Sequence, residues 1–76
     1  FAKDNVLYII QHMIEVISTD YEELENVELN GIYDAKTQNA IKVFQRKNLL
    51  DDNGIIDATT FNRLADAYEN VNSQNQ

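Results

Sequence analysis

The stretch NGIYDAKTQN at residues 30–39 returns as NGIIDATTFN at residues 53–62, with seven of the ten positions identical. Each copy predicts a turn followed by the start of a helix. The glycine gives the backbone freedom for the turn, and the aspartate is a residue type that caps helix N-termini. The isoleucine after each glycine is expected to anchor the turn in the core. The turn and cap residues of these two units are Asn30, Gly31, Asp34, Asn53, Gly54 and Asp57.

Around the two units, the hydrophobic pattern predicts three helices. Apolar residues recur at three- and four-residue steps over 6–17, which is typical of an amphipathic helix that Asp4 or Asn5 can cap. The second helix follows the first unit and is expected to end near Asn48, because asparagine tolerates the left-handed conformation found at many helix ends. The third helix follows the second unit and is expected to fade into the polar residues 70–76.

These elements predict an all-α fold, a small three-helix bundle. Residues 1–5 are expected to form a lead-in, 6–69 the domain, and 70–76 a polar linker or tail that can bury nothing. The core is expected to be filled by apolar residues at helical spacing. These predicted core residues are Ile10, Ile14, Ile41, Phe44, Phe61 and Leu64.

The composition limits the class of protein. The chain has 76 residues, with thirteen Asp and Glu against six Lys and Arg, a net charge of −7, and neither Cys nor Pro. A chain of this length holds one small domain, which excludes most self-contained enzyme folds. Six scattered basic residues cannot attract nucleic acid, and no apolar run approaches the roughly 20 residues that a membrane helix needs. The start at Phe1 favours a fragment of a longer protein or a processed product.

No constellation of residues predicts catalysis, a metal site or a cofactor. A zinc site needs three or four ligands, whereas the chain has no Cys and only His12, which lies off the apolar stripe of the first helix. A calcium loop with Gly54 at its sixth position would have Leu49 first and Thr60 last, and both are wrong as ligands. The acidic residues lie mostly in the loop over 18–30 or at caps, which favours a solvated surface over a catalytic carboxylate pair.

Four residues are candidates for ligand contact. Tyr21 and Tyr33 belong to loops that face the helix junction, where an aromatic ring can pack inward or stack on a sugar or a peptide. Asn62 and Arg63 lie early in the third helix and are expected to be partly exposed. The amide of Gln45, in contrast, is expected to bond the backbone of a turn rather than a ligand.

The two units and the residues between them follow the pattern of a known family. The matching residues are 30–34 (NGIYD), 40–45 (AIKVFQ) with Leu49, 54–57 (GIID), and Thr60, Phe61 and Leu64. In this order they resemble the peptidoglycan-binding domain of the three-helix type, found in many bacterial and phage cell-wall hydrolases. The pattern has Asp, Gly, Pro, Gly and Trp where this sequence has Asn30, Asp34, Ala35, Asn48 and Phe61.

The resemblance implies a noncatalytic module that binds peptidoglycan glycan or stem peptide and holds an attached hydrolase or other domain at the wall. It also implies an extracellular or cell-wall-associated location and a bacterial or phage source. Because Gram-positive walls carry anionic polymers and this chain is acidic, attraction cannot rest on bulk charge. Binding is therefore expected to use neutral hydrogen bonds, stacking or stem-peptide amine groups, and to survive moderate salt.

A protein-docking module on the same fold is the alternative. Its partner would be another domain of the same polypeptide or a separate protein, because a fold alone does not decide function. The acidic loop around residues 21–28 would be the docking surface. Under this hypothesis, neutral residues in place of Glu22, Glu23 and Glu25 should abolish docking but leave wall binding intact or stronger.

Overall fold

The computed structural model describes residues 5–21, 23–24 and 27–74, and these form three helices. The helices are α1 (Asn5–Ile17), α2 (Ala35–Lys47) and α3 (Ala58–Gln74), with no strand among the described residues. The predicted all-α, three-helix fold is therefore confirmed. Asn5 is the first helical residue rather than a cap, and the other predicted cap, Asp4, lies outside the described residues.

The core lies between the three helices. It is built from apolar side chains of every helix, with α1 packed along α3. Among the predicted core residues, five are buried: Ile10, Ile14, Ile41, Phe44 and Leu64. The loop between α1 and α2 adds buried Leu24 and Val27, and the ring of Tyr21 lies 5.7 Å from that of Phe44. The acidic loop is thus attached to the core by its apolar residues.

The third helix is longer than the sequence pattern predicts. It continues without a break through the polar residues to Gln74, and Val71 in its last turns is only 4% exposed. The prediction that residues 70–76 bury nothing is therefore wrong at Val71. Val71 lies seven residues after Leu64, which is two helical turns, so both side chains face the core. One apolar residue in a polar segment gives too little periodicity to reveal this.

The C-terminus of α2 also differs from the prediction. Asn48 has φ −101° and is not left-handed, whereas the next residue, Leu49, has φ 59°. The N–H of Leu50 donates to the Gln45 carbonyl (2.8 Å) and the N–H of Leu49 donates to the Arg46 carbonyl (3.2 Å). These two bonds form a Schellman motif, whose left-handed position falls one residue later than expected.

Two residues predicted to point into the core are exposed instead. Phe61 is 38% exposed, whereas Thr60 before it and Leu64 one turn later are buried. Successive residues of a helix are rotated by about 100°, so when Thr60 faces the core the side chain of Phe61 is directed away from it. Ile55 is 62% exposed, and the residue after it, Ile56, packs against the core in its place. Both corrections bring apolar side chains to the surface at the start of α3.

Candidate functional site

A buried glutamine of α1 holds the first turn-and-cap unit. Gln11 is fully buried, and its Oε1 accepts the N–H groups of Asn30 (3.0 Å) and Gly31 (2.8 Å). Its Nε2 lies within hydrogen-bond distance of three acceptors, which are Asn30 Oδ1 (3.1 Å), the Ile32 carbonyl (3.0 Å) and Thr37 Oγ1 (3.0 Å). One side chain thereby joins α1, the turn and the first turn of α2.

A second glutamine repeats this arrangement in the second unit. Gln45 of α2 is buried, and its Oε1 accepts the N–H of Gly54 (2.9 Å). Its Nε2 lies within hydrogen-bond distance of Asn53 Oδ1 (3.3 Å), the Ile55 carbonyl (2.9 Å) and Thr60 Oγ1 (3.0 Å). The expectation that the Gln45 amide bonds a turn agrees with these contacts.

The equivalent role of Gln11 escaped the sequence interpretation, although a signal for it exists. Gln11 follows Ile9 and Ile10 as Gln45 follows Val43 and Phe44, so the internal repeat begins in the helix that precedes each turn. The distance from the glutamine to the turn differs, because the loop after α1 is longer than the one after α2. That difference hides the longer repeat in a comparison of ungapped segments.

Each unit ends in an aspartate that caps the following helix. Asp34 Oδ1 accepts the N–H of Thr37 (2.9 Å) at the start of α2, and Asp57 Oδ1 accepts the N–H of Thr60 (2.8 Å) at the start of α3. The backbone bond, followed by the bond from the threonine side chain, holds the pKa of each carboxyl below its ordinary value. Both carboxylates are therefore ionised at neutral pH.

A tyrosine joins the two turns. The hydroxyl of Tyr33, in the first unit, donates to the carbonyl of Gly54 in the second, and burial raises the pKa of this hydroxyl, which keeps it a neutral donor. The ring of Tyr33 is 39% exposed. The side chain therefore has a structural bond at its tip and a face open to solvent.

The four residues predicted to contact ligand do not form one cluster. Tyr21 packs on Phe44 at the edge of the core, and Tyr33 lies at the junction of the two turns. Asn62 and Arg63 are exposed on the first turns of α3. Within the described residues, no hydrogen bond or ion pair joins any of these four to another.

An apolar groove opens between the beginnings of α1 and α3. Its volume is about 370 Å³, within the usual range for small-molecule sites. All but one of the described residues that line it are apolar: Val6, Leu7, Ile10, Ile56, Asp57, Ala58 and Phe61. Asp57 is the polar residue among them and has a hydrogen-bond acceptor as its side chain, so the groove suits small apolar groups beside a hydrogen-bond donor. We call this site the apolar groove.

The described part of the chain offers no grouping of His, Cys, Asp and Glu that could hold a metal ion. His12 is exposed, and its ring meets that of Tyr68 edge-on at 5.8 Å. Across the same described residues, no helix is both long and apolar enough to cross a bilayer.

A comparison with protein families gives a match that includes both turns. Residues 15–64 match the family model described as "Putative peptidoglycan binding domain". The match covers both turn-and-cap units, all of α2 and the start of α3. No curated protein and no solved structure matches the chain. On this match over most of its length, the chain belongs to the peptidoglycan-binding domain family.

Proposed function

We propose that the chain is a noncatalytic wall-binding module and that the apolar groove is where it contacts peptidoglycan. The family match supports the ligand, and the groove is the observation that supports the place. An attached hydrolase or other domain would gain a raised effective concentration at the polymer. The setting is extracellular or at the cell wall, in a protein of bacterial or phage source.

The chemistry of peptidoglycan fits the groove. The polymer presents small methyl groups, on its N-acetyl and lactyl substituents and on the alanines of its stem peptide, each next to an amide. Phe61 offers an exposed ring against which a methyl or a sugar face can pack, and Asp57 offers a carboxylate that an amide N–H or an amine can bond. Binding of this kind survives moderate salt, because most of it is neutral contact.

The four residues predicted to contact ligand lie outside the apolar groove and differ in how well they can contribute to binding. Asn62 and Arg63 follow Phe61 on the exposed first turns of α3, where they can reach polar groups of a polymer lying across the groove. Tyr33 offers its open ring at the turn junction. Tyr21 is the least suited, because its ring is already packed against Phe44.

The test is a pulldown with insoluble peptidoglycan sacculi stripped of anionic polymers, at low and at physiological salt. We expect the purified domain in the pellet at both salts, and Phe61→Ala in the supernatant. Tyr8→Ala is the matched control, because Tyr8 is also an exposed aromatic residue of a helix but does not line the groove. A folded Phe61→Ala variant that pellets as well as the parent would contradict the site.

Docking to another protein is the second candidate function, and the exposed apolar residues Ile9 and Ile55 favour it. The acidic loop is less free for this role than its sequence suggests, since Glu23 pairs with Lys47 at 2.9 Å. The other two acids chosen for neutral substitution, Glu22 and Glu25, lie outside the described residues. If the three neutral substitutions abolish a partner contact while sacculi are never bound, docking takes first place.

A further inference from the structure

The charges of this acidic chain are segregated. Helix α2 carries four of the six basic residues of the chain and none of the thirteen acidic ones. These four residues are Lys36, Lys42, Arg46 and Lys47. All the charged side chains of α2 are positive, although the whole chain has a net charge of −7. An anionic group therefore meets no charge repulsion from this helix.

A cleft lies on this basic helix. Its volume is about 290 Å³, and it is lined by Asn39, Ala40, Lys42, Val43 and Arg46. Small-molecule sites in proteins start at about 300 Å³, so the cleft suits the end of a ligand rather than a whole disaccharide peptide. We call it the α2 cleft. Ala40 and Val43 are the apolar residues of its lining, and the other three residues supply an amide and two cations.

Lys42 belongs to the lining of the α2 cleft, and its side chain packs on a neighbouring turn. Its side chain is half-buried, and its Cε lies 3.1 Å from where a Cβ on Gly54 would be, so the aliphatic stem packs on the second turn. Within the described residues Lys42 forms no ion pair. Packing of the stem reduces the conformational entropy that the ammonium would lose on binding an anion.

Arg46 is partly used. Its Nε and Nη2 both donate to Asp52 Oδ2, at 3.1 and 3.0 Å, which fixes the guanidinium at the edge of the α2 cleft. Its Nη1 makes no hydrogen bond within the described residues and remains a donor for a second acceptor. Asp52 reduces the net charge at that edge, so Lys42 supplies most of the attraction.

We propose that the α2 cleft binds a free carboxylate of the peptidoglycan stem peptide, with the small side chain next to it on Ala40 and Val43. This inference rests on the proposed function for the identity of the ligand. An alanine that ends a stem peptide has the required chemistry, a carboxylate beside one methyl group. Lys42 and Arg46 bond the carboxylate, and the Asn39 amide is in reach of the adjoining peptide group.

The cleft favours a carboxylate end over a phosphate polymer. A long polyanion would have to run beyond the four basic residues of α2, and all thirteen acidic residues of the sequence lie outside this helix. A single carboxylate needs only the ammonium and one edge of the guanidinium. The apolar lining residues Ala40 and Val43 also have no use in phosphate binding, whereas they suit the methyl group of an alanine.

The experiment is a calorimetric titration with soluble muropeptides whose stem carboxylates are free or converted to amides. We expect the parent chain to bind the free acid about tenfold more tightly than the amide. Lys42→Gln should bind both forms alike, near the affinity that the parent has for the amide. Lys42→Arg should restore most of the preference, and Lys36→Gln, which removes the same charge from the same helix outside the cleft, should keep it.

The outcomes separate the two proposals. If neither muropeptide nor sacculi bind the folded parent chain, the proposed function fails. If they bind but amidation of the ligand or Lys42→Gln changes nothing, the α2 cleft is not the carboxylate site. Tighter binding of a glycerol phosphate oligomer than of the free acid would also overturn the inference. Thermal melting of each variant shows that it is folded.

Discussion

At the scale of single residues, Leu49 stands in a place that suits glycine. Its φ of 59° is the left-handed conformation, in which a Cβ crowds the following carbonyl, and its side chain is 94% exposed. The side chain therefore adds no buried surface to offset the backbone cost. Asn48, one residue earlier, has the ordinary negative φ and donates its Nδ2 to the Phe44 carbonyl at 2.9 Å.

We predict that Leu49→Gly stabilises the domain by about 1 kcal/mol, because glycine adopts this φ without the steric cost. Urea denaturation at neutral pH measures the change. Asn48→Gly is the control and should destabilise the domain, since it relieves no strain and loses the bond to Phe44. The reverse pair of results would mean that the left-handed residue is Asn48.

The buried glutamines are the other residues that decide this structure. Gln45→Leu has nearly the same volume but leaves the buried N–H of Gly54 without an acceptor, while the Ile55 carbonyl keeps the Asp57 N–H and the Thr60 hydroxyl keeps the Asp57 carboxylate. We predict a loss of about 1 to 3 kcal/mol, the desolvation cost of one unsatisfied buried polar group. Gln38→Leu on the exposed face of α2 should change stability by less than about 0.5 kcal/mol. Equal urea midpoints for the two variants would show that the bonds of Gln45 to the second turn do not stabilise the domain.

At the scale of elements, the molecule uses one device twice. In each case a buried glutamine of one helix bonds the Asn-Gly turn that follows the helix, and an aspartate then caps the next helix. The chain of bonds runs from Gln11 through Thr37 to Asp34 in one unit, and from Gln45 through Thr60 to Asp57 in the other. The N-termini of α2 and α3 are therefore each fixed by polar contacts as well as by packing.

The caps predict how stability depends on pH. Because the hydrogen bonds lower the folded-state pKa of Asp34 and Asp57, their contribution is present above the unfolded pKa of about 4 and is lost as pH falls through the folded value. Stability should thus fall from about pH 5 toward pH 2. Asp57→Asn keeps a cap that does not titrate, so thermal melting should show a smaller fall over this range.

Asp66→Asn is the control for this pH series. It removes one negative charge from the exposed body of α3 without touching a cap. We expect its stability to fall with pH as the parent's does. If Asp57→Asn and Asp66→Asn follow the same curve, the caps are not the source of the acid sensitivity.

At the scale of the whole molecule, a small core is closed by contributions from every segment. Phe44 is fully buried and touches the loop through Tyr21. We predict that Phe44→Ala costs about 3 to 5 kcal/mol, enough to unfold a domain of this size at ambient temperature. Loss of the cooperative melting transition measures it, and a variant with an unchanged melting temperature would refute the assigned core.

The last turns of α3 belong to the same core. Val71→Ala should cost about 1 to 2 kcal/mol, from the apolar contacts that the larger side chain makes at its buried site. Ser73→Ala, two residues later and exposed, should leave the melting temperature within about one degree or raise it slightly. If both variants melt with the parent, residues 70–74 are outside the cooperative unit.

The three helices, the two turns and the family could be predicted from the amino-acid sequence. These features depend on local rules, since periodicity selects the helix, Asn-Gly the bend and aspartate the cap, and each rule acts within a few residues. Other features became visible only in the folded chain. Gln11 bonds the first turn, Phe61 is at the surface and Val71 is in the core. A groove also separates the starts of α1 and α3. The reason is physical, because burial depends on which other segment covers a side chain. Gln11 and Asn30 are 19 residues apart in the sequence, so the short-range rules that predict helices and turns do not reveal that they bond.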